Sequence, residues 1–287
     1  MPPPPLAVIT VCRNIAAEID DTCASVVKQT FQDFEWIVVD GASTDGTLDV
    51  LEKYRSRITR LISEPDAGIY NAMNKGIRAA TGEYLLFLNG GDYLASDAVL
   101  TAVLATGALG GADIIYGNPS FRTADKVENG ITPPLISKIY FVKGWLNHQN
   151  VFIRRELFTR HGLYDESYRL VADWEKWVAF AANGCSFAHI DLGITVFRTN
   201  GASAAAANDR EMRAEKRRVR QKHFSAAEIA AGRKLHNEIY GYKTLRSWWR
   251  GIFSVTQSAD GAKTKYNFCG LPLLKIKRSS PVKSIAG

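Results

Sequence analysis

The sequence predicts an α/β fold built on a doubly wound, mostly parallel sheet with helices on both faces. The first half of the chain alternates short β-branched runs with helical patterns, which is typical of βαβ units. The longest apolar stretch, residues 98–112, is shorter than the roughly 20 residues that a membrane-spanning helix needs. The 287 residues are 46% hydrophobic and 23% charged, a composition that excludes disordered, collagenous and coiled-coil proteins.

The elements of the first half follow from these patterns, with right-handed crossovers between the parallel strands. Buried strands are predicted at residues 7–11, 36–40, 60–63 and 84–88. Helices are predicted at residues 22–30, 47–54 and 69–80. Ligands bind beyond the carboxyl ends of the strands in such sheets, so functional side chains are expected there.

The second half of the chain is less regular. The apolar stretch 98–112 predicts a buried helix followed by a glycine turn. Further elements are predicted as strands at 113–117, 151–153 and 190–198, a helix at 174–182, and a charged helix that begins near residue 208. The long polar connection between residues 117 and 151 contains two adjacent prolines, and a loop of that length is typically functional or flexible.

The charge is unevenly distributed along the chain. The net charge of +7 combines residues 1–204, with 18 Lys and Arg against 23 Asp and Glu, and residues 205–287, with 18 against 6. We therefore predict a flexible N-terminus at 1–5, an α/β domain at 6–204 and a basic helical C-terminal region at 205–287. The basic region indicates an anionic partner or, equally well, a solvated basic helix.

The most amphipathic part of the basic region is residues 243–256. Its apolar positions recur at helical spacing, with basic residues beside them: Leu245, Trp248, Trp249, Ile252 and Phe253, flanked by Lys243, Arg246 and Arg250. Such a helix either lies in an anionic membrane interface or packs its aromatic face on the α/β domain, and both interpretations stay open. No nucleic-acid-binding motif is present, so nucleic acid is not an expected partner.

The cysteines and the N-terminus bear on location. The four cysteines lack the spacing of a zinc site or a disulfide framework, which favours reduced thiols. Residues 1–11 lack the basic and apolar regions of a secretory signal. We predict a cytoplasmic protein that lies peripherally on the inner face of the cytoplasmic membrane.

A first candidate site residue is Asp40, at the end of the second predicted strand. The segment after it, residues 41–47, lacks the glycine spacing of a dinucleotide fingerprint. A single carboxylate at a strand's carboxyl end suits a nucleobase or ribose donor group better than a pyrophosphate. Asp45 and Thr47 are predicted to be turn and helix-cap residues.

Two further polar clusters follow. The predicted helix at 69–80 carries a polar stripe that is either its solvated face or a diphosphate site: Asn71, Asn74, Lys75 and Arg78. The apolar strand 84–88 ends in Asn89-Gly90-Gly91-Asp92, whose oxygens could hold a hard cation on a diphosphate or form an ordinary turn.

Five segments together resemble a known family in order and content: residues 38–47, 68–76, 82–92, 148–158 and 168–177. They are similar to family 2 glycosyltransferases with the GT-A fold, and more narrowly to the bacterial branch that builds exopolysaccharide and lipopolysaccharide O-antigen chains. The resemblance covers about residues 6–204. It implies an inverting transfer of a sugar from a UDP-, GDP- or dTDP-sugar to a hydroxyl of a lipid-linked bacterial polysaccharide.

The resemblance assigns roles to individual residues. It implies that Asp173 is the catalytic base, which takes the proton of the acceptor hydroxyl; a helix N-cap is the structural alternative for this residue. On the acceptor side, facing a saccharide or a polyprenyl-diphosphate-linked acceptor, it places His148, Gln149 and Trp174. The donor nucleotide-sugar would be bound by Thr10, Val11, Arg13, Asp40, Asp66, Lys75, Asn89, Gly90 and Gly91.

The metal site departs from the family pattern. The family's D-x-D region holds a divalent ion, Mn²⁺ or Mg²⁺, on the diphosphate, and its usual ligand falls at Gly91 in this chain. With glycine at that position, the resemblance implies Asp92 as the metal ligand, helped by Asn89. This departure keeps open a second function, a non-catalytic nucleotide-sugar-binding protein with a degenerate metal site. A nucleotidyltransferase is not favoured, because the first strand is not followed by a basic glycine-rich loop.

Overall fold

The computed structural model describes residues 4–122, 127–198 and 209–238, together with strands at 253–257, 263–268 and 271–277. The chain divides into two compact units, residues 1–229 and residues 230–287. Each unit is described separately below.

The first half of the first unit contains four parallel strands in the spatial order β3-β2-β1-β4. The strands are β1 (Leu6–Cys12), β2 (Phe34–Asp40), β3 (Arg60–Ser63) and β4 (Tyr84–Phe87). The helices between them are α1 (Ile19–Val27), α2 (Thr47–Glu52) and α3 (Ile69–Ala79). The predicted βαβ arrangement is therefore confirmed, with element ends that differ by a few residues.

The second half extends the same sheet in the order β4-β8-β6-β9-β5, with β7 on the edge of β6. Its elements are β5 (Tyr93–Leu94), α4 (Val99–Ala105), β6 (Ile114–Arg122), β7 (Val127–Asn129), β8 (Val151–Arg154), α5 (Glu156–His161), α6 (Ala172–Ala182) and β9 (Phe187–Arg198). Strand β8 runs antiparallel to both its neighbours, whereas β6 and β9 are parallel. The sheet is thus mixed but mostly parallel, as predicted.

The prediction of an irregular polar loop between residues 117 and 151 is wrong for much of that range. Strand β6 continues to Arg122, β7 returns beside it, and two 3₁₀ turns follow at Lys138–Val142 and His148–Asn150. Thr132 Oγ1 donates to Gly117 O, which fixes the proline-containing segment to β6. The pairing of β6 with β7 and the side-chain hydrogen bond of Thr132 order this segment, which its polar, proline-containing composition did not reveal.

The core lies on both faces of the sheet. Every residue of β1 is buried, and neighbouring residues enter opposite clusters, with Val8 in one and Ile9 in the other. This double burial explains why the strand is a continuous apolar run rather than an alternating one. The carboxyl ends of β1 and β4 are therefore positioned by strands that are packed on both faces.

Helix α7 (Asp209–His223) packs within the first unit, where Val219 is fully buried. Charge alone places a boundary between the α/β domain and the basic region at residue 205, and a separate function for the basic region stays a prediction. By packing, however, the first helix of the basic segment is part of the α/β unit. Helix α8 (Ala226–His236) follows it.

The second unit holds a three-stranded antiparallel sheet of β10 (Phe253–Gln257), β11 (Lys263–Phe268) and β12 (Leu271–Lys277). The expectation of an entirely helical C-terminal region is therefore wrong. The amphipathic helix predicted at 243–256 is contradicted from Phe253 onward, where a β-branched alternating run forms β10, and its remainder lies outside the described residues. No described helix is both long and apolar enough to cross a membrane.

Candidate active site

An open cavity of about 760 Å³ lies at the carboxyl ends of β1 and β4. Most of the residues predicted for the site line it, although they come from elements far apart in the chain. The predicted residues in its wall are Val11, Arg13, Asp66, Asn89, Gly90, Gly91, Asp92, His148, Gln149 and Asp173. Four other predicted site residues are not among the residues that line the cavity: Thr10, Asp40, Lys75 and Trp174.

Asp40 is fully buried, and its carboxylate serves the chain itself. Its Oδ2 accepts hydrogen bonds from the Ser43 backbone N–H at 3.0 Å and from Ser63 Oγ at 2.8 Å. The Cys12 thiol also faces Oδ1, and burial together with the nearby negative charge of Asp40 raises the pKa of that thiol. Asp40 therefore fixes the turn after β2 and has no direct access to the cavity.

Thr10 and Trp174 are also turned inward. Thr10 Oγ1 accepts a hydrogen bond from Trp36 Nε1 at 3.1 Å and is fully buried. Trp174 Nε1 donates to Gly144 O at 3.1 Å, and the indole belongs to the buried core. The roles assigned to these two side chains are corrected to structural ones.

The polar stripe of α3 holds neighbouring segments together and does not form a diphosphate site. Lys75 Nζ lies 2.8 Å from Glu64 Oε1. Asn71 and Asn74 both donate to the carboxylate of Glu166, and Asn74 is buried. The stripe thus anchors the segment that leads towards α6, and Lys75 lies outside the lining of the cavity.

Asp66 and Arg13 form one wall of the cavity. Their side chains approach to 4.0 Å, with the guanidinium mostly exposed and the carboxylate nearly buried. Asp66 Oδ1 also accepts the Gly68 N–H at 3.0 Å. Any Cβ at position 41 would overlap Asp66 Oδ2, so Gly41 permits the close approach of this carboxylate. The wall therefore offers an acceptor and a cation side by side.

The loops after β1 and β2 are joined by side-chain hydrogen bonds. Asp45 accepts from the Ala16 and Thr47 N–H groups, each at 3.0 Å, and these bonds lower its pKa. Asn14 N donates to Ser43 Oγ at 2.8 Å. The turn role predicted for Asp45 is confirmed, whereas Thr47 is the first residue of α2 after the N-cap Gly46, so its cap role is wrong. Thr47 Oγ1 instead accepts from the Ile15 N–H at 3.0 Å, which helps to hold the loop that carries Arg13 beside the cavity.

The turn after β4 carries the second wall. Asp92 Oδ2 accepts from Gln149 Nε2 at 3.0 Å, and its Oδ1 accepts from the Arg198 N–H at 3.2 Å. Burial raises the pKa of Asp92 despite these bonds. Arg198 Nε donates to Gly91 O at 3.1 Å, which brings its guanidinium to the same turn.

The same turn carries oxygens that suit a divalent cation. Asn89 Oδ1 is buried and has no hydrogen-bond partner among the described residues. Those residues contain no cluster of three or more His, Cys, Asp or Glu side chains that could hold a metal alone. Mg²⁺ is commonly held by one or two carboxylates plus substrate phosphates. Asp92 and Asn89 therefore fit a divalent ion that a bound diphosphate helps to hold.

Asp173 faces the same cavity from the first turn of α6. Its Oδ1 accepts from Tyr70 Oη at 2.9 Å and from the Trp174 N–H at 2.8 Å. Burial and the Asp173 charge raise the pKa of Tyr70 well above its usual value, so the phenol stays a donor. The N-cap of α6 is Val171, so Asp173 lies inside the helix and the N-cap interpretation is wrong.

His148 lies between the turn at 89–92 and Asp173. Its Nδ1 lies 3.2 Å from Asp173 Oδ2, and its Nε2 lies 2.8 Å from Asn89 Nδ2. A carboxylate accepts only, so these partners assign the proton to Nδ1 and the acceptor role to Nε2. The imidazole thus spans the cavity wall from the β4 turn to the α6 carboxylate.

An aromatic wall was not predicted from the sequence. Phe121 and Phe197 are opposite each other on β6 and β9, with ring centroids 4.4 Å apart, and both line the cavity together with Trp145. Tyr70 was also missed as the hydrogen-bond partner of Asp173. The pairing of β6 with β9 places Phe121 and Phe197 at the site, and a hydrogen bond from α3 to α6 places Tyr70 there. Neither contact is visible in a local sequence pattern.

Comparison with known sequences supports the resemblance. The family model described as "Glycosyl transferase family 2" matches residues 7–162, which is more than half of the chain. The chain is 36% identical over 179 residues to the PGL/p-HBAD biosynthesis glycosyltransferase of Mycobacterium bovis, which covers 61% of this chain and 69% of that protein. It is 30% identical over 262 residues to an uncharacterised glycosyltransferase of Mycobacterium tuberculosis, covering 88% and 97% of the two chains.

Solved structures show the same fold. S. aureus TarS in complex with UDP-GlcNAc superposes with a TM-score of 0.58 at 20% identity, over 69% of this chain and 59% of that chain. The mannosyltransferase PcManGT from Pyrobaculum calidifontis, in complex with GDP-Man and Mn²⁺, gives 0.55 at 17% identity, over 86% and 83%. The predicted GT-A fold is confirmed by these likenesses.

Proposed function

The chain belongs to glycosyl transferase family 2, and from that premise we propose an inverting transfer of a sugar from a nucleoside-diphosphate sugar to a hydroxyl of a lipid-linked bacterial polysaccharide. The observation that carries the proposal is the cavity itself. It joins the Arg13–Asp66 wall, the Asp92 turn and the Asp173 carboxylate within one open space.

The donor is proposed to bind between the two walls. Asp66 can accept a hydrogen bond from a nucleobase or ribose, and Arg13 can meet a phosphate, with Val11 between them. Structures of the same fold contain UDP-GlcNAc or GDP-Man, which supports a UDP-, GDP- or dTDP-sugar as the donor class. Asp40 would act indirectly, by holding the turn that includes Gly41.

Asp173 is proposed as the catalytic base. Its Oδ1 is occupied by two hydrogen bonds, whereas Oδ2 faces only the His148 ring among its described partners. Oδ2 would take the proton of the acceptor hydroxyl as that oxygen attacks the anomeric carbon. Attack from the face opposite the departing diphosphate inverts the anomeric configuration. A positioned base of this kind contributes about 10²–10⁴-fold to the rate.

The departing diphosphate needs positive charge nearby. Arg198 lies at the Asp92 turn and Arg13 at the opposite wall, so the chain supplies two cations to the cavity. A divalent ion held by Asp92 and Asn89 would add charge neutralisation when bound. Lys75 has no part in this proposal, because it does not line the cavity, whereas Arg13 and Arg198 do.

The acceptor is proposed to bind against the aromatic wall. Sugar rings present apolar faces that pack on aromatic side chains, and Trp145, Phe121 and Phe197 provide such a surface. His148 and Gln149 border it. The saccharide or lipid-linked nature of the acceptor rests on this wall and on the family resemblance. The proposed place of action is the inner face of the cytoplasmic membrane.

The second candidate function is a nucleotide-sugar-binding protein without catalysis. The single carboxylate of the turn at 89–92 favours it, since a weaker metal site would slow departure of the diphosphate. The two candidates share the donor site and differ only in turnover.

A nucleotide panel separates them. UDP, GDP and dTDP are titrated into the full chain by calorimetry, and the corresponding sugars are then assayed for nucleoside-diphosphate release, with and without Mn²⁺. We expect one nucleotide to bind and its sugar to be turned over. Asp173→Asn should reduce turnover by about 10²–10⁴-fold without changing nucleotide affinity. Asp97→Asn, at an exposed position outside the cavity, is the matched control. Binding without turnover would favour the second candidate, and no binding would exclude both.

A further inference from the structure

Helix α7 contacts the chain on both sides of Asp173. We propose that α7, chiefly through Glu215, positions the proposed catalytic base, so that the first helix of the basic segment has a catalytic task. The inference rests on the proposed function, because it concerns the same carboxylate. Glu215 does not line the described cavity, so it acts through Asp173 as a positioning residue.

The contact before Asp173 is made by Glu215. Its carboxylate accepts the Arg169 N–H at 2.6 Å and the Leu170 N–H at 2.9 Å, and the side chain is only 5% exposed. Both backbone groups belong to the segment that enters α6. A buried carboxylate that accepts two backbone hydrogen bonds fixes that segment in one place, because a buried donor left unpaired is energetically costly.

The contact after Asp173 is made by Glu175. This buried carboxylate accepts from Lys222 Nζ at 2.8 Å and from His223 Nε2 at 2.7 Å, both in the last turn of α7. Burial acts to raise the pKa of Glu175, but the two hydrogen bonds outweigh it and lower the pKa to about 2. The carboxylate is therefore ionised and held to α7 throughout the physiological range.

Cation–ring contacts complete the attachment. The Arg218 guanidinium lies 4.5 Å from the centre of the Tyr168 ring. The Arg220 guanidinium lies 5.3 Å from the Trp174 ring, and its Nε donates to Val142 O at 3.1 Å. Residues immediately before and after Asp173 are thus held by one helix, and this arrangement accounts for part of the positive charge beyond residue 205.

The consequence for catalysis follows from geometry. Arg169 and Leu170 line the cavity, and they precede Asp173 by four and three residues in the segment that leads into α6. A shift of the segment would move the Asp173 carboxylate relative to the acceptor hydroxyl. Misplacement by about 1 Å can cost about 10²-fold in rate. The donor walls at Arg13, Asp66 and Asp92 lie on other elements, so nucleotide binding should be unaffected.

The experiment compares Glu215→Ala with the full-length wild type. Hydrogen–deuterium exchange reports the amides of residues 165–171, turnover reports kcat for nucleoside-diphosphate release, and calorimetry reports affinity for UDP, GDP or dTDP, whichever binds. We expect faster exchange confined to that segment, a kcat at least about tenfold lower and a nucleotide affinity within about twofold of wild type. Glu215→Gln, which keeps an oxygen acceptor, should recover most of the kcat.

Glu228→Gln is the matched control. It removes another Glu ion pair, with Lys138, that does not touch residues 165–175 in the described structure. Its kcat and exchange should match wild type.

Three results would overturn the proposal: a folded alanine variant with unchanged kcat, unchanged exchange at 165–171, or nucleotide affinity that falls in parallel with kcat. Should the alanine variant fail to fold, Glu215→Met, which keeps the side-chain length but has no oxygen acceptor, replaces it, and an unchanged kcat in that variant overturns the proposal equally. Wild-type protein that turns over no nucleotide sugar overturns the proposed function, and with it the catalytic consequence. The exchange data still report the contact by itself, so the two failures are distinct.

Discussion

The imidazole of His148 stands 3.2 Å from the carboxylate of Asp173, measured from Nδ1 to Oδ2. Both groups lie in the cavity wall, and the opposite ring nitrogen is held by the Asn89 amide at 2.8 Å. The hydrogen bond from Asn89 keeps the ring from turning, so Nδ1–H stays directed at Asp173. The proposed base is therefore oriented by a side chain that also borders the acceptor.

The first prediction concerns this hydrogen bond. His148→Ala should lower kcat by about 10- to 100-fold, the rate equivalent of losing a charge-assisted hydrogen bond of about 1.5–3 kcal/mol. His148→Asn retains a side-chain N–H near the Nδ1 position and should retain much more activity. Steady-state turnover with the donor found in the nucleotide panel checks this. Equal activity in the two variants would show that the ring fills space only.

The second prediction concerns Gly41. An alanine at this position would overlap Asp66 Oδ2 and would stand 3.1 Å from Arg13 Cδ. Gly41→Ala should displace both side chains and weaken nucleotide binding by at least about tenfold, equal to about 1.4 kcal/mol. Calorimetric titration of the nucleotide measures the effect.

Gly111→Ala is the control for that substitution. Its added Cβ would meet nothing closer than Ala108 O at 3.5 Å, an ordinary contact. This variant should bind nucleotide as the wild type does. If Gly41→Ala also binds normally, Asp66 has no role in the donor site.

The fold was predictable because strong local signals agree with the tertiary structure. Strand β1 is apolar throughout because both faces of the sheet are covered, and the turn at 89–92 ends β4 at the cavity as the pattern implied. The motif that contains Asp173 was visible in the sequence. Its structural partners were not, because Tyr70 and His148 reach it from other elements.

The errors have a common physical origin. Lys75 and Asp40 are residue types that often bind a nucleotide-sugar donor. In the folded protein, however, Lys75 forms an ion pair with Glu64, and Asp40 accepts a hydrogen bond from Ser63. The charge distribution likewise predicts a boundary at residue 205. In the structure, however, the buried Glu215 of α7 binds the backbone of Leu170, which lies 45 residues earlier in the chain. A side chain's type indicates what it can bind, and its partners in the folded protein decide what it does bind.

The third prediction concerns the divalent ion. Asp92 and Asn89 provide one carboxylate and one unpartnered amide oxygen, so metal affinity should depend on a bound diphosphate. Mn²⁺ should therefore bind weakly to the free protein and should increase the affinity for the nucleoside diphosphate. Titrations of nucleotide with EDTA and with Mn²⁺ measure this coupling.

In Asp92→Asn the Mn²⁺ effect should disappear, while binding in EDTA stays close to wild type. A Mn²⁺ effect of full size in that variant would place the ion elsewhere. The reciprocal experiment, Mn²⁺ titrated with and without nucleotide, must give the same coupling, because linkage between two ligands is symmetric.

The fourth prediction concerns acid stability and Glu175. Its pKa is lowered from 4.5 to about 2 in the folded protein, where Lys222 and His223 overcome the opposing effect of burial. A carboxyl with a depressed folded pKa stabilises the protein fully above the unfolded pKa and loses that contribution as the pH falls through the folded pKa. Glu175→Gln should therefore reduce the free energy of unfolding at pH 7 by about 3 kcal/mol. The difference from wild type should shrink between pH 4.5 and about 2.

Urea denaturation of both proteins across that pH range measures the difference directly. Glu52→Gln, at an exposed position of α2, is the control and should follow the wild-type curve. A Glu175→Gln deficit that stays constant down to pH 2 would mean that the lost stability comes from packing alone. A deficit that closes with acid would show that an ionised carboxylate joins α7 to α6, because only its protonation removes the charge that Lys222 and His223 bind.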